Sequence, residues 1–319
     1  MSQALKQKLT MIRVISMVLI VTCHIFQYYG FKMAFWLNVG VQLFFILSGF
    51  LYGAKDINDF KSFWTKKIYH IIIPYEIVVV VFFIVFTIFD KMPKVLDILY
   101  YISATQAFNT SITPIAHLWF MSYILLFYLL IPFLQKFDIS DKKFFLTILI
   151  SIVFILQFLQ FVNVININAT YLMLFIGSYY ISRRLFKYKK KFNYNKLLII
   201  SGAICLFGVP LQLFLETKST MPDVLYKFFI IYCDYIHAFL GIALFIIFIK
   251  FLPAVKSKLI DQISNYSFSV YSVHQIFILG IFSLLKYRFG ILYVFASIAV
   301  ASAILYKITE KIGERRLKK

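Results

Sequence analysis

The chain has 319 residues, of which 62% are hydrophobic and only 14% charged, with a mean hydropathy of +0.85. Soluble domains run nearer half apolar and about a quarter charged, and a soluble sphere of this size cannot hide so much apolar surface; a soluble enzyme, a nucleic-acid-binding domain and a disordered scaffold are excluded. The net charge of +20, from 33 Lys and Arg against 13 Asp and Glu, then reads as cations left on the cytoplasmic side of a membrane.

A helix needs about 20 mainly apolar residues to cross a bilayer, and ten segments qualify: 10–30, 36–54, 68–90, 115–135, 144–162, 165–182, 197–215, 224–249, 266–285 and 290–306. Outer-membrane strands would be about ten residues long with a period of two, which these runs do not show. The predicted fold is therefore all-α: a polytopic membrane protein of about ten transmembrane helices in a single domain, 1–319. The first apolar run has no small-residue cleavage site after it, so no cleavable signal is expected. No internal repeat is visible, which disfavours transporter folds built from inverted repeats.

Ionisable groups inside such spans are costly and mark candidate sites. The first span holds Arg13 and His24, eleven residues apart; eleven steps return to one face of a helix and climb about 16 Å. Arg13 could equally snorkel to lipid phosphate, with His24 a packing residue. The third span opens with Lys66, Lys67 and His70 before Pro74, Tyr75 and Glu76. Lys67 and His70, three apart on a helical face, would suit a phosphate-rich ligand, although a topology anchor explains the lysines as well. The stretch 91–114 is the longest outside the spans and carries Ser103, Thr105, Gln106, Asn109, Thr110, Ser111 and Thr113.

The fourth span begins with His117-Leu118-Trp119-Phe120, where a Trp most often belongs to the interfacial belt. Gln157, Gln160 and Asn163 share a face of the fifth span, with Asn166 and Asn168 just beyond; amides there read first as glue between helices. Asp234 and His237 in the eighth span form an i, i+3 pair able to satisfy itself. The ninth carries Tyr271 and His274 at the same spacing, with Ser267 one turn below Tyr271. Cys23, Cys205 and Cys233 lie in apolar runs and read as packing residues. Neither a Walker A loop, GxGxxG, HExxH nor a CxxC pair occurs, and the scattered histidines imply no metal site.

Ten spans place both termini on one side. That side collects 26 of the 33 Lys and Arg, with Lys32, Lys91, Lys94, Lys218, Lys227, Lys286 and Arg288 on the other. The imbalance makes both termini cytoplasmic.

These residues resemble, over essentially the whole chain, the acyltransferase-3 family of integral-membrane acyltransferases. Arg13 and His24 match the family's Arg-x10-His signature. Leu43-Phe44-Phe45-Ile46-Leu47-Ser48-Gly49-Phe50-Leu51 is similar to its phenylalanine-rich SGFL segment. His117-Leu118-Trp119-Phe120, followed by Tyr128 and Pro132, resembles its HLWF segment. Ile263 to Tyr271 with His274 resembles its late SYxxYxxH segment, and Glu310 falls where the last helix of the family usually ends in Glu. One position departs: the family often carries Arg-x-x-Arg before the third-span proline, where this chain has Lys67 and His70. A lysine there keeps the charge but not the bidentate fork.

The resemblance implies acyl transfer from cytoplasmic acyl-CoA, with acetyl-CoA the expected co-substrate and no metal, to a hydroxyl of an extracytoplasmic or lipid-linked glycan in the cell membrane. It implies His24 and Arg13 as catalytic residues, the former as general base or acyl carrier. Arg13, Lys67 and His70 would hold the donor, and His117, Trp119, Ser48, Tyr271 and His274 the acceptor. Membrane lipid, a second copy of the chain or glycan-synthesis machinery are the expected partners, and nucleic acid is not. The rival reading is a carrier of polysaccharide precursors that performs no acyl chemistry.

Overall fold

The computed structural model describes residues 1–136, 141–217 and 221–317; Lys218, Lys318 and Lys319 of the charge count lie outside them. Among the described residues the chain is helical without strands. The α-helices are α1 (Gln3–Tyr28), α2 (Met33–Leu37), α3 (Val39–Gly53), α4 (Phe60–Lys67), α5 (Ile73–Ile88), α6 (Val95–Ile102) and α7 (Trp119–Lys136), then α8 (Lys142–Phe161), α9 (Ala169–Phe186), α10 (Tyr194–Glu216), α11 (Asp223–Phe251), α12 (Lys258–Ile278) and α13 (Gly290–Leu317). A π turn at Ile68–Ile72 joins α4 to α5, and 3-10 turns occupy Gln106–Phe108 and Thr113–Leu118.

Eight stretches among the described residues are long and apolar enough to cross a bilayer, against the ten expected. The other two are helices with different bounds. α9 starts at Ala169, where the Asn168 side chain accepts from Thr170 N, and ends on Arg183 and Arg184. α12 opens on Lys258 and carries Asp261 in its first turn. It stops at Ile278, because Gly280 adopts a left-handed φ of 84°, a conformation open to glycine. The expected span 266–285 is thus helical only to Ile278. Apolar side chains face outward on the long helices, with Phe154 and Phe207 71% and 75% exposed, as a lipid solvent requires.

Packing divides the chain into two compact units. The first comprises Met1–Ile20, Phe35–Asp56 and Phe133–Ile260. Its centre is α3 against α9. A side chain at Gly49 would strike the Phe175 carbonyl oxygen and Ser178 Oγ, and one at Gly53 the Tyr179 carbonyl oxygen. Two glycines four apart therefore let the backbones approach closely, as small residues do in membranes. Ser182 Oγ donates to the Phe50 carbonyl at 2.6 Å. At the ends of helices, Arg183 pairs with Asp56 at 2.7 Å and donates to the Lys55 carbonyl at 3.0 Å. Lys8 donates to the Ile249 carbonyl at 2.7 Å in the last turn of α11, where a cation complements the helix dipole.

The second unit comprises Val21–Ala34, Ile57–Pro132 and Asp261–Lys319. A core of Val21, Ile25, Ile278, Leu285, Val294 and Ile298 packs the end of α1 against α12, the turn that follows it and α13. Gly280 lies against Pro114, so the turn after α12 touches the segment leading to His117. These contacts position the site.

Candidate functional site

Three histidines that are far apart in the sequence meet in the second unit. The ring centroids of His24 and His274 are 5.1 Å apart, those of His117 and His274 4.6 Å, and those of His24 and His117 6.4 Å. His117 and His274 are 3% and 0% exposed, while His24 is half-buried. The Tyr271 ring stands 5.3 Å from His117 and 5.8 Å from His274.

Each imidazole is held by an oxygen that can only accept, and this sets its tautomer. His117 Nε2 donates to the Ser272 carbonyl at 3.2 Å, and His274 Nδ1 to the Tyr271 carbonyl at 2.6 Å. His24 Nδ1 donates to Gln27 Oε1 at 2.6 Å. A neutral imidazole with one nitrogen donating presents a lone pair on the other, leaving His24 Nε2, His117 Nδ1 and His274 Nε2 as acceptors. His117 Nδ1 and His274 Nε2 are buried without any hydrogen-bond partner. Buried polar atoms are nearly always paired, so two orphaned nitrogens in neighbouring rings single this cluster out as the candidate site. Among the described residues, no group of three or more His, Cys, Asp or Glu is placed to hold a metal ion.

A clamp fixes the segment that carries His117. Gln275 Oε1 accepts from His117 N at 3.1 Å while its Nε2 donates to the Thr113 carbonyl. The Tyr271 hydroxyl donates to the His117 carbonyl. Behind it, Gln106 Nε2 donates to the Leu118 carbonyl at 2.7 Å, and the Tyr75 hydroxyl donates to the Tyr101 carbonyl. The Tyr101 hydroxyl accepts from Ile112 N at 3.0 Å; burial pushes that phenol up to about 12, so it stays a neutral clamp. Gln106 is thus a buried strut of the 91–114 stretch, and Ser103, Thr105 and Asn109 bond one another or the local backbone.

The remaining candidates fall elsewhere. Arg13 and His24 share the unbroken helix α1, with Arg13 half-buried. Lys67 Nζ sits 4.3 Å from the Tyr128 ring centroid and 5.3 Å from that of Phe63. His70 is exposed and lies inside the π turn, whose i to i+5 bonds widen the helix. Trp119 opens α7 against Tyr123, 5.6 Å between centroids. Ser48 is half-buried on α3 in the first unit, beside the glycine packed on α9. Asp234 and His237 do not satisfy each other: Asp234 bonds Asn168, and the His237 ring stacks on Phe35 at 4.0 Å. Gln157 Nε2 donates to Gln160 Oε1 at 3.0 Å within α8, so that pair bonds along its own helix rather than to another.

Gln27 and Gln275 were missed by the sequence reading. Both are amides within three residues of a site histidine, a signal that inspection of those helical faces could have caught.

Membrane-length helices that bring three imidazoles together define a multi-pass membrane protein with a histidine cluster as its candidate site. It belongs to the acyltransferase-3 family: the family model, described as an acyltransferase domain, matches residues 7–306. The chain is accordingly a multi-pass membrane protein of an acyltransferase class. No curated protein and no solved structure gives a significant match.

Proposed function

We propose that this protein transfers an acyl group, acetyl by expectation, from cytoplasmic acyl-CoA to a hydroxyl of an extracytoplasmic or lipid-linked glycan. The observation that carries the reading is the imidazole cluster, with its open lone pair at His24 Nε2, inside a chain of this family. An alcohol is a poor nucleophile until its proton is removed, and a positioned histidine is the commonest group for that task. His24 Nε2 takes the acceptor's hydroxyl proton and the oxygen attacks the thioester carbonyl. The tetrahedral adduct then collapses with cleavage of the carbon–sulfur bond, and the CoA thiolate recovers the proton from the imidazolium. The same lone pair would serve an acyl-His24 route, in which CoA leaves before the hydroxyl attacks.

His117 Nδ1 and His274 Nε2 accept from neighbouring hydroxyls of the acceptor and orient it. Arg13, on the cytoplasmic side of His24 in the topology given by the charge distribution, holds donor phosphate, with Lys67 and His70 as further donor contacts. Trp119 completes the acceptor set. With both termini cytoplasmic, the donor reaches the foot of α1 from the side where acyl-CoA is found.

Purified protein in nanodiscs, mixed with acetyl-labelled acetyl-CoA and a crude glycan fraction, is expected to move label onto glycan. His24→Ala is expected to abolish transfer while the protein remains folded in the membrane. A carrier would move no label, and retained transfer in His24→Ala would remove His24 from the chemistry. A label on a His24 peptide that is lost in acid and released by hydroxylamine, as an N-acylimidazole is, would select the acyl-histidine route.

A further inference from the structure

The second unit contains a cavity of about 1000 Å³, at the upper end of the roughly 300–1,000 Å³ usual for small-molecule sites. It is bounded by α5, α12, the segment after α12, and α13. Along α5 it extends from Ile77 to Phe89, about 18 Å of helix axis, a large part of the roughly 30 Å hydrocarbon core. Its deep end, at Ile304 and Ile308 of α13, is apolar. Its polar side chains gather at the other end: Lys91 just past α5, and Ser283, Lys286 and Tyr287 just past α12, with Ser297 on α13. Such a lining offers a free sugar almost no hydrogen bonds, whereas a hydrocarbon chain ending in an anion matches it end to end. Phosphate is the anion a membrane lipid presents at that depth, and two lysines complement its charge.

The cavity also adjoins the imidazole cluster through a shared wall. Val273, Ile276 and Phe277 of α12 line it, and His274 and Tyr271 lie on that same helix. His274 is one helical turn from the end of α12 at Ile278, and the lysine-bearing segment begins just beyond. A lipid seated in the cavity with its phosphate on Lys91 and Lys286 brings what is attached to that phosphate toward the cluster.

We infer that the cavity seats the lipid anchor of the acceptor, so that the acceptor class is a glycan joined through phosphate to a long hydrocarbon chain. This rests on the acyltransferase reading above. The test uses full-length protein in nanodiscs with labelled acetyl-CoA and two acceptors sharing one glycan, one water-soluble and one on a long-chain lipid phosphate. The lipid-linked acceptor is expected to be acylated in preference. The double variant Lys91→Gln/Lys286→Gln is expected to raise its KM by about tenfold, the loss of one or two charge-assisted contacts, with kcat retained. Ala301→Trp, which fills the apolar part, is expected to raise that KM while leaving thermal stability and acetyl-CoA binding intact.

Equal acylation of both acceptors, or unchanged KM in the variants, overturns the anchor site and leaves the acyltransferase standing. Transfer to neither acceptor, with no consumption of acetyl-CoA, overturns the underlying reading instead. Photo-crosslinking of a long-chain lipid phosphate to the cavity provides the second measurement. Labelling outcompeted by ordinary phospholipid at equal concentration would make the cavity a bulk-lipid groove and overturn the proposal.

Discussion

Gln27→Leu separates the chemistry of His24 from its positioning. The Gln27 side chain is exposed and its oxygen accepts the 2.6 Å bond from His24 Nδ1, so leucine removes a tautomer clamp from a solvent-facing position. A hydrogen bond of this kind is worth about 0.5–1.5 kcal/mol net, and its loss corresponds to a fall of about 2- to 10-fold in turnover. Removing the imidazole by His24→Ala deletes the proton acceptor, an effect of about 100- to 10,000-fold for general-base catalysis. The two variants should therefore differ by at least an order of magnitude while unfolding at similar temperatures. The assay is label transfer from acetyl-CoA at saturating donor, with thermal unfolding of each variant in the same detergent. Glu at position 27 keeps an acceptor oxygen against Nδ1, so Gln27→Glu should recover turnover relative to Gln27→Leu. Retention of activity within tenfold by His24→Ala, or equal losses in both variants, would refute this division of roles.

Three further outcomes follow from the packing. Tyr271→Phe deletes the buried hydroxyl that donates to the His117 carbonyl, leaving that carbonyl without this donor; about 1–3 kcal/mol of stability should be lost, read as a lower unfolding temperature in detergent. Gly49→Val drives a side chain into the backbone of α9. The overpacking should cost about 1–3 kcal/mol or more, seen as poor yield and early unfolding, whereas Gly177→Ala, where nothing lies within 4 Å of the added carbon, should be neutral. Arg183→Met removes both the Asp56 ion pair and the bond to the Lys55 carbonyl and should destabilise more than Asp56→Asn, in which the second bond survives. Equal effects would mean that the ion pair dominates.

Much of the architecture was legible in sequence because lipid imposes a simple rule: a helix must be apolar for about 20 residues to cross the hydrocarbon. Runs such as 10–30, 197–215 and 224–249 obey it and coincide with α1, α10 and α11. The rule fails at helix ends, which are set by backbone rather than hydropathy. It carried the ninth run past Ile278, where the Gly280 turn ends the helix. Motif resemblance singled out His24, His117, Tyr271 and His274 one by one. Their spacing carries no information on contact, since 157 positions separate His117 from His274.

By itself, then, the sequence determined the solvent, the helical class, the charge asymmetry and which side chains are candidates for the site, because each follows from composition or local order. Only the tertiary structure decided that three imidazoles meet, which of their nitrogens are left without a partner, and that α5, α12 and α13 line an apolar cavity on the same helix α12. Those outcomes depend on carbonyl groups and side chains distant in sequence converging at distances of a few ångströms. Hydrogen-bond direction is set by that convergence and by nothing a linear order contains.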